Sequence, residues 1–137
     1  MSKNEGQTLF AENSPKDRVN LALKFMDQRV SQAESLAKSG DYMGMYDQLG
    51  AFQAIMDDTL NYLLRQPQQK GNVLDALKKY EIGLRKLAPR IGVILRELPP
   101  NFDPYVRLLL KYIRDARSKA VEPLFGDTVV PNQDLSL

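Results

Sequence analysis

"AKSGDYMGMYDQL", residues 37–49, decides how this chain is folded. Gly40 takes a left-handed backbone at no steric cost, which suits the residue just past a helix end. Asp41 follows with a short side-chain acceptor, the kind that N-caps a new helix. Tyr42 then falls in a first turn. Read this way, the stretch is a tight reversal between two helices, and the sequence on either side bears that out.

Upstream, "SPKD" (14–17) opens a helix with Ser14 as N-cap, Pro15 at N1 and Asp17 at N3. Val19, Ala22, Met26, Val30, Ala33 and Ala37 then recur at three- and four-residue steps, one face of a helix that runs to about Ser39. Downstream of Asp41, Met45, Leu49, Phe52, Met56, Leu60 and Leu63 form a second stripe. "RQPQQKG" (65–71) is rich in helix breakers and reads as a loop.

Asn72 begins a third helix, with Asp75 at N3. It carries Leu77, Tyr80, Leu84, Leu87, Ile91, Ile94 and Leu98 in strict three-four alternation, a heptad seam. Pro89 interrupts it chemically, because proline removes one hydrogen bond and crowds the carbonyl of Arg85. The stripe keeps its phase across Pro89, and Pro89 falls opposite the seam, where water satisfies that carbonyl. One kinked helix is expected. "LPPNFDP" (98–104) ends it. Asp103 caps a fourth helix and Pro104 takes N1, ahead of Val106, Leu109, Ile113, Ala116 and Ala120. Pro123 and Gly126 mark its end.

The expected fold is all-α: an up-down-up-down four-helix bundle with short loops and an extended C-terminal tail. Residues 1–13 form a disordered or loosely attached segment, 14–125 the bundle, and 126–137 the tail, laid over the bundle through Val129 and Val130. "ALKFMDQRV" (22–30) and "ALKKYEIGL" (76–84) share a short pattern at an offset of 54 residues, a weak hint of hairpin duplication.

The Gly40-Asp41-Tyr42 turn resembles the inter-helix turn of a tetratricopeptide unit, which spans about 34 residues and builds peptide-binding scaffolds. The resemblance covers three residues. The flanking helices are about twice as long as such a unit allows. Met45 stands where that pattern has a small alanine, and no second unit follows. A peptide-binding scaffold of this kind is the second alternative for function.

Composition excludes several chemistries. The 137 residues suit one core. Cysteine and histidine are both absent, which removes disulfides, thiolate metal sites, and the commonest general base and transition-metal ligand. The acids Glu34, Asp47, Asp57 and Asp58 form no convergent pair, since neighbours on a helix point about 100° apart. No glycine-rich phosphate loop, nucleophile elbow or zinc-ligand spacing occurs. No enzyme activity, metal or cofactor is expected. The polar N-terminus lacks a signal-peptide apolar run, and no stretch approaches the roughly 18 apolar residues of a membrane span, so a cytoplasmic protein is expected.

Charge is uneven. Residues 1–66 hold seven Lys/Arg against nine Asp/Glu, while residues 72–122 hold eleven against six. Lys78, Lys79, Arg85 and Lys86 form a basic stripe on the third helix, and Arg107, Lys111 and Arg114 extend it from the fourth. The stripe suits phosphate or an acidic partner, but its charge density is modest for nucleic acid.

Surplus apolar residues point to association. "IGVIL" (91–95) and "YVRLLLKYI" (105–113) are apolar nearly all round, and the seam does not use Val93, Leu95, Leu108 or Leu110. They flank the Pro99-Pro100 turn, and Met43 sits at the same end. Two functions follow as expectations. The first is a non-enzymatic helical protein-interaction module, a homodimer or the partner of another helical protein, self-associating through this end. The second is weak binding of nucleic acid or a phosphate-bearing ligand on the basic stripe.

Overall fold

The computed structural model describes residues 1–12, 14–67 and 71–125. These hold five α-helices and no strand: α1 (Lys3–Ala11), α2 (Pro15–Lys38), α3 (Tyr42–Arg65), α4 (Gly71–Glu97) and α5 (Pro104–Phe125), with a 3₁₀ turn at Pro100–Phe102. The expectation of four helices is corrected by α1. Ser2 and Glu5 make a capping box, each side chain bonded to the other's backbone N–H. Leu9 is wholly buried, and Glu5 accepts from Arg29 of α2 at 2.7 and 3.2 Å. Within the segment read as disordered or loosely attached, Lys3–Ala11 is therefore a helix packed on α2. The tail residues 126–137, including Val129 and Val130, lie outside the described residues.

The opening turn has the form its residues dictate. Gly40 has φ +83°, its N–H donates to the Ala37 carbonyl, and the Asp41 N–H donates to that of Leu36. These two bonds close α2 as a Schellman motif. Asp41 then accepts from the Gly44 N–H at 2.9 Å. A Cβ on residue 44 would lie 2.6 Å from Asp41 Oδ2, so the cap fits a glycine there. Ser14 caps α2 through the Asp17 N–H as expected. Asp103 stands just before Pro104, where α5 begins, its carbonyl accepts from the Arg107 N–H, and its carboxylate accepts from the Arg107 guanidinium at 2.9 Å, an ion pair one turn on. Helix α4 is continuous through Pro89, which is exposed opposite the seam.

Four long helices enclose the core. α2 and α3 are antiparallel, with Arg18 against Asp58 and Arg29 against Gln48. α4 and α5 are antiparallel, with Glu81 against Arg117. The two hairpins lie side by side with α2 parallel to α4, as Asn20 meets Lys79 and Glu34 meets Arg90. α5 meets α3 over a smaller contact, and α3 and α4 face each other across the core. Helix directions alternate along the chain, but the third long helix lies beside the first. Tyr80, fully buried, spans the diagonal and donates to the Met56 carbonyl at 2.8 Å. At the Pro-Pro end, Tyr42 and Phe102 pack at a tilt with centroids 4.6 Å apart, and Tyr46 donates to the Phe102 carbonyl at 2.6 Å. These rings close the end of the core between α3 and α5.

Candidate interaction surface

The outer side of the α4–α5 hairpin brings cations and an exposed apolar side chain to two neighbouring hollows. The hairpin folds about Pro99-Pro100, so residues equally far from the turn meet. Glu81 and Arg117 are such a pair, and Arg85 falls near Arg114. Glu81 lies on the flank of the α4 seam, and its side chain is only 10% exposed. A carboxylate held that far from water needs charged partners. Arg85 supplies one through Nε and Nη2 at 3.1 and 2.5 Å, and Arg117 another through Nε at 2.9 Å. The Arg85 guanidinium, joined by that of Arg117, holds the Glu81 carboxyl below the ordinary glutamate range despite burial.

Around this pair lies an open hollow of about 430 Å³ lined by Glu81, Arg85, Arg114, Arg117, Ser118 and Val121. Arg114 has no ion-pair or hydrogen-bond partner among the described residues. A second hollow of about 540 Å³ adjoins it along α5, lined by Asp103, Pro104, Arg107, Leu108, Lys111 and Arg114. Arg114 belongs to both. Five cations thus border these two hollows, and the two acids that line them, Glu81 and Asp103, are already paired with arginines. From Arg107 to Ser118 the helix extends about 16 Å, the length of roughly five extended residues.

The basic stripe read from the sequence is divided by the fold. Arg85 and Arg114 meet across the α4–α5 groove, and Arg107 and Lys111 continue from Arg114. Lys79 turns toward α2, where its ammonium donates to Asn20 at 3.5 Å. Lys78 and Lys86 are exposed on α4 outside both hollows. Arg117 was missed because it flanks the α5 seam and reads as a boundary residue. Its signal was the hairpin register about Pro99-Pro100, which sets it opposite Glu81.

The apolar set is divided as well. Leu95 and Leu110 are half-buried and pack against the core. Val93, 42% exposed, borders a separate hollow between α2 and α4 with Glu34, Ala37, Lys38, Ile94 and Glu97. Leu108, 41% exposed, borders the basic hollow on α5, and Met43 at the start of α3 is 68% exposed. No hollow brings the five together. Among exposed large apolar residues, α4 and α5 supply Ile82, Val93, Leu108, Tyr112 and Phe125, whereas α2 supplies none.

The acids diverge as their helical spacing requires. Asp58 accepts from Arg18, Asp57 borders an α3–α5 hollow with Asp115 and Lys119, and Glu34 accepts from Arg90. No group of three metal-ligating side chains occurs among the described residues, and no helix there is long and apolar enough to cross a membrane. No protein-family model, curated protein or solved structure matches this chain.

Proposed function

We propose that this protein is a non-enzymatic helical interaction module that takes an acidic segment of a partner protein along the outer side of α4 and α5. One observation carries the reading: Arg85, Arg107, Lys111, Arg114 and Arg117 border two adjoining hollows, with the exposed Leu108 set among them. Cations steer and register an acidic partner, while an apolar anchor supplies the desolvated contact that fixes it. The test is a fluorescence-anisotropy titration with a labelled peptide of alternating Glu and Leu residues. Saturable binding is expected, weakened at least about tenfold by Lys111→Glu with Arg114→Glu, and falling steeply with salt. Equal binding by the double variant overturns the assignment of this face.

Self-association is the second reading, favoured by the exposure of Met43, Val93 and Leu108. Light scattering tests it. A dimer dissociated by Leu108→Glu supports it, and a monomer at high concentration removes it.

A further inference from the structure

We infer that the α4–α5 groove holds a phosphomonoester dianion, between Arg85 and Arg117, which Glu81 fixes in place, and Arg114, which has no partner among the described residues. This rests on the proposed role of the face and names the group that docks there: a phosphorylated side chain of the partner segment.

Three features carry it. First, two of the three arginines are oriented by a carboxylate: the Arg85 and Arg117 side chains reach solvent, 58% and 35% exposed, but both bond the buried Glu81. Glu81 takes Nε and Nη2 of Arg85 and Nε of Arg117, so the remaining N–H groups of both point from fixed guanidinium planes. Planar forks fixed this way match the oxygens of a phosphate and lose less freedom on binding than lysines would. Second, the charge matches. Three guanidinium groups less the Glu81 carboxylate leave a surplus of two positive charges around the hollow, and a phosphomonoester carries about −1.5 to −2 near neutral pH. Third, the groove has room and a further donor. Its hollow is about 430 Å³, and Ser118, a residue with a hydroxyl to donate, is among those that line it. A single carboxylate would leave one of the two surplus charges unmatched.

The test uses the whole chain and O-phospho-L-serine as the probe, with the arginine Nε–Hε resonances as the readout at pH 7.5. Resonances of Arg85, Arg114 and Arg117 are expected to shift together and saturate. Glutamate, carrying a carboxylate in place of phosphate, is expected to bind about tenfold or more weakly. Arg114→Gln, at an exposed position whose side chain holds no other group in place, is expected to keep the fold and lower affinity about tenfold. Lowering the pH to 5 should also weaken binding, because the phosphate takes up a proton with pKa about 6. Glu81, held below the ordinary glutamate range by Arg85 and Arg117, stays ionised there and keeps the arginines in position. Absence of saturable shifts, equal affinity for glutamate, or an unaffected Arg114→Gln variant overturns the site. Inorganic phosphate binding more tightly than O-phosphoserine overturns the protein-borne source. Binding of the unphosphorylated acidic peptide without binding of O-phosphoserine removes this site alone and leaves the acidic-segment reading standing.

Discussion

Glu5, Glu34 and Glu81 each take an arginine from another helix: Arg29, Arg90 and Arg117. Glu34 and Glu81 are lowered first by their arginine hydrogen bonds. At Glu5 burial pushes upward, and the bonds from Arg29 and Ser2 more than offset it. All three sit below the ordinary 4.5 in the folded chain. A carboxyl whose folded pKa is depressed contributes stability that is fully present above its unfolded value and is lost as pH falls through its folded value. Asp57, raised by desolvation, works the other way, one carboxyl against three. With no histidine, no side chain of ordinary pKa titrates between about pH 5.5 and 7.5. Urea denaturation should therefore give near-constant stability from about pH 5.5 to 7.5 and a loss below about pH 4.5. A stability that rises on acidification would count against these three pairs.

At the level of the helices, periodicity and caps made α2 to α5 legible. Each has a long apolar face, and Ser14 and Asp41 act as the caps their positions suggest. Helix α1 was illegible by the same criterion. "KNEGQTLFA" places only one large apolar residue, Leu9, in the core, so no period can be read. Its local signal was the Ser2-to-Glu5 capping box. What holds it is the burial of Leu9 and the tertiary pair of Glu5 with Arg29, which no local pattern reveals. Pro89 was readable because the seam kept its phase, and α4 does run through it. Proline in a helix interior forfeits a hydrogen bond, and Pro89 is exposed, so nothing in the core depends on its ring. Pro89→Ala should raise stability by about 1–3 kcal/mol in urea denaturation with helical circular dichroism retained. A less stable variant would mean that the backbone restraint of the proline is needed for α4 to meet α2 and α5.

For the molecule as a whole, the adjacency of the helices escaped the sequence for one reason. Spacing fixes which face of a helix is apolar, not which neighbour covers it. The same limit divided the candidate sites. Leu95 and Leu110 found cover within the fold, Lys79 turned to α2, and Arg117 entered a groove defined only by the α4–α5 register. The surface that remains is basic but narrow. The rings gathered at the Pro-Pro end are spent on one another rather than free to stack on bases, as Tyr42 packs against Phe102, and Tyr46 against Phe102 and Tyr105. Duplex DNA should accordingly bind only weakly. Neutralising about four phosphates gives a salt slope of roughly 3–4, with little binding left near 150 mM salt. Sub-micromolar binding at that salt, abolished by Arg107→Glu with Arg114→Glu, would make nucleic acid the partner of this face.

The claim that the outer side of α4 and α5 is the working surface is tested most directly by mapping where an acidic peptide touches the folded chain. Backbone amide spectra recorded through a titration with the Glu-Leu peptide should show the largest shifts over residues 81–88 and 104–118. The α2–α3 hairpin and α1 should stay nearly unmoved. Shifts centred on α2 and α3, or scattered evenly over all five helices, would contradict the account.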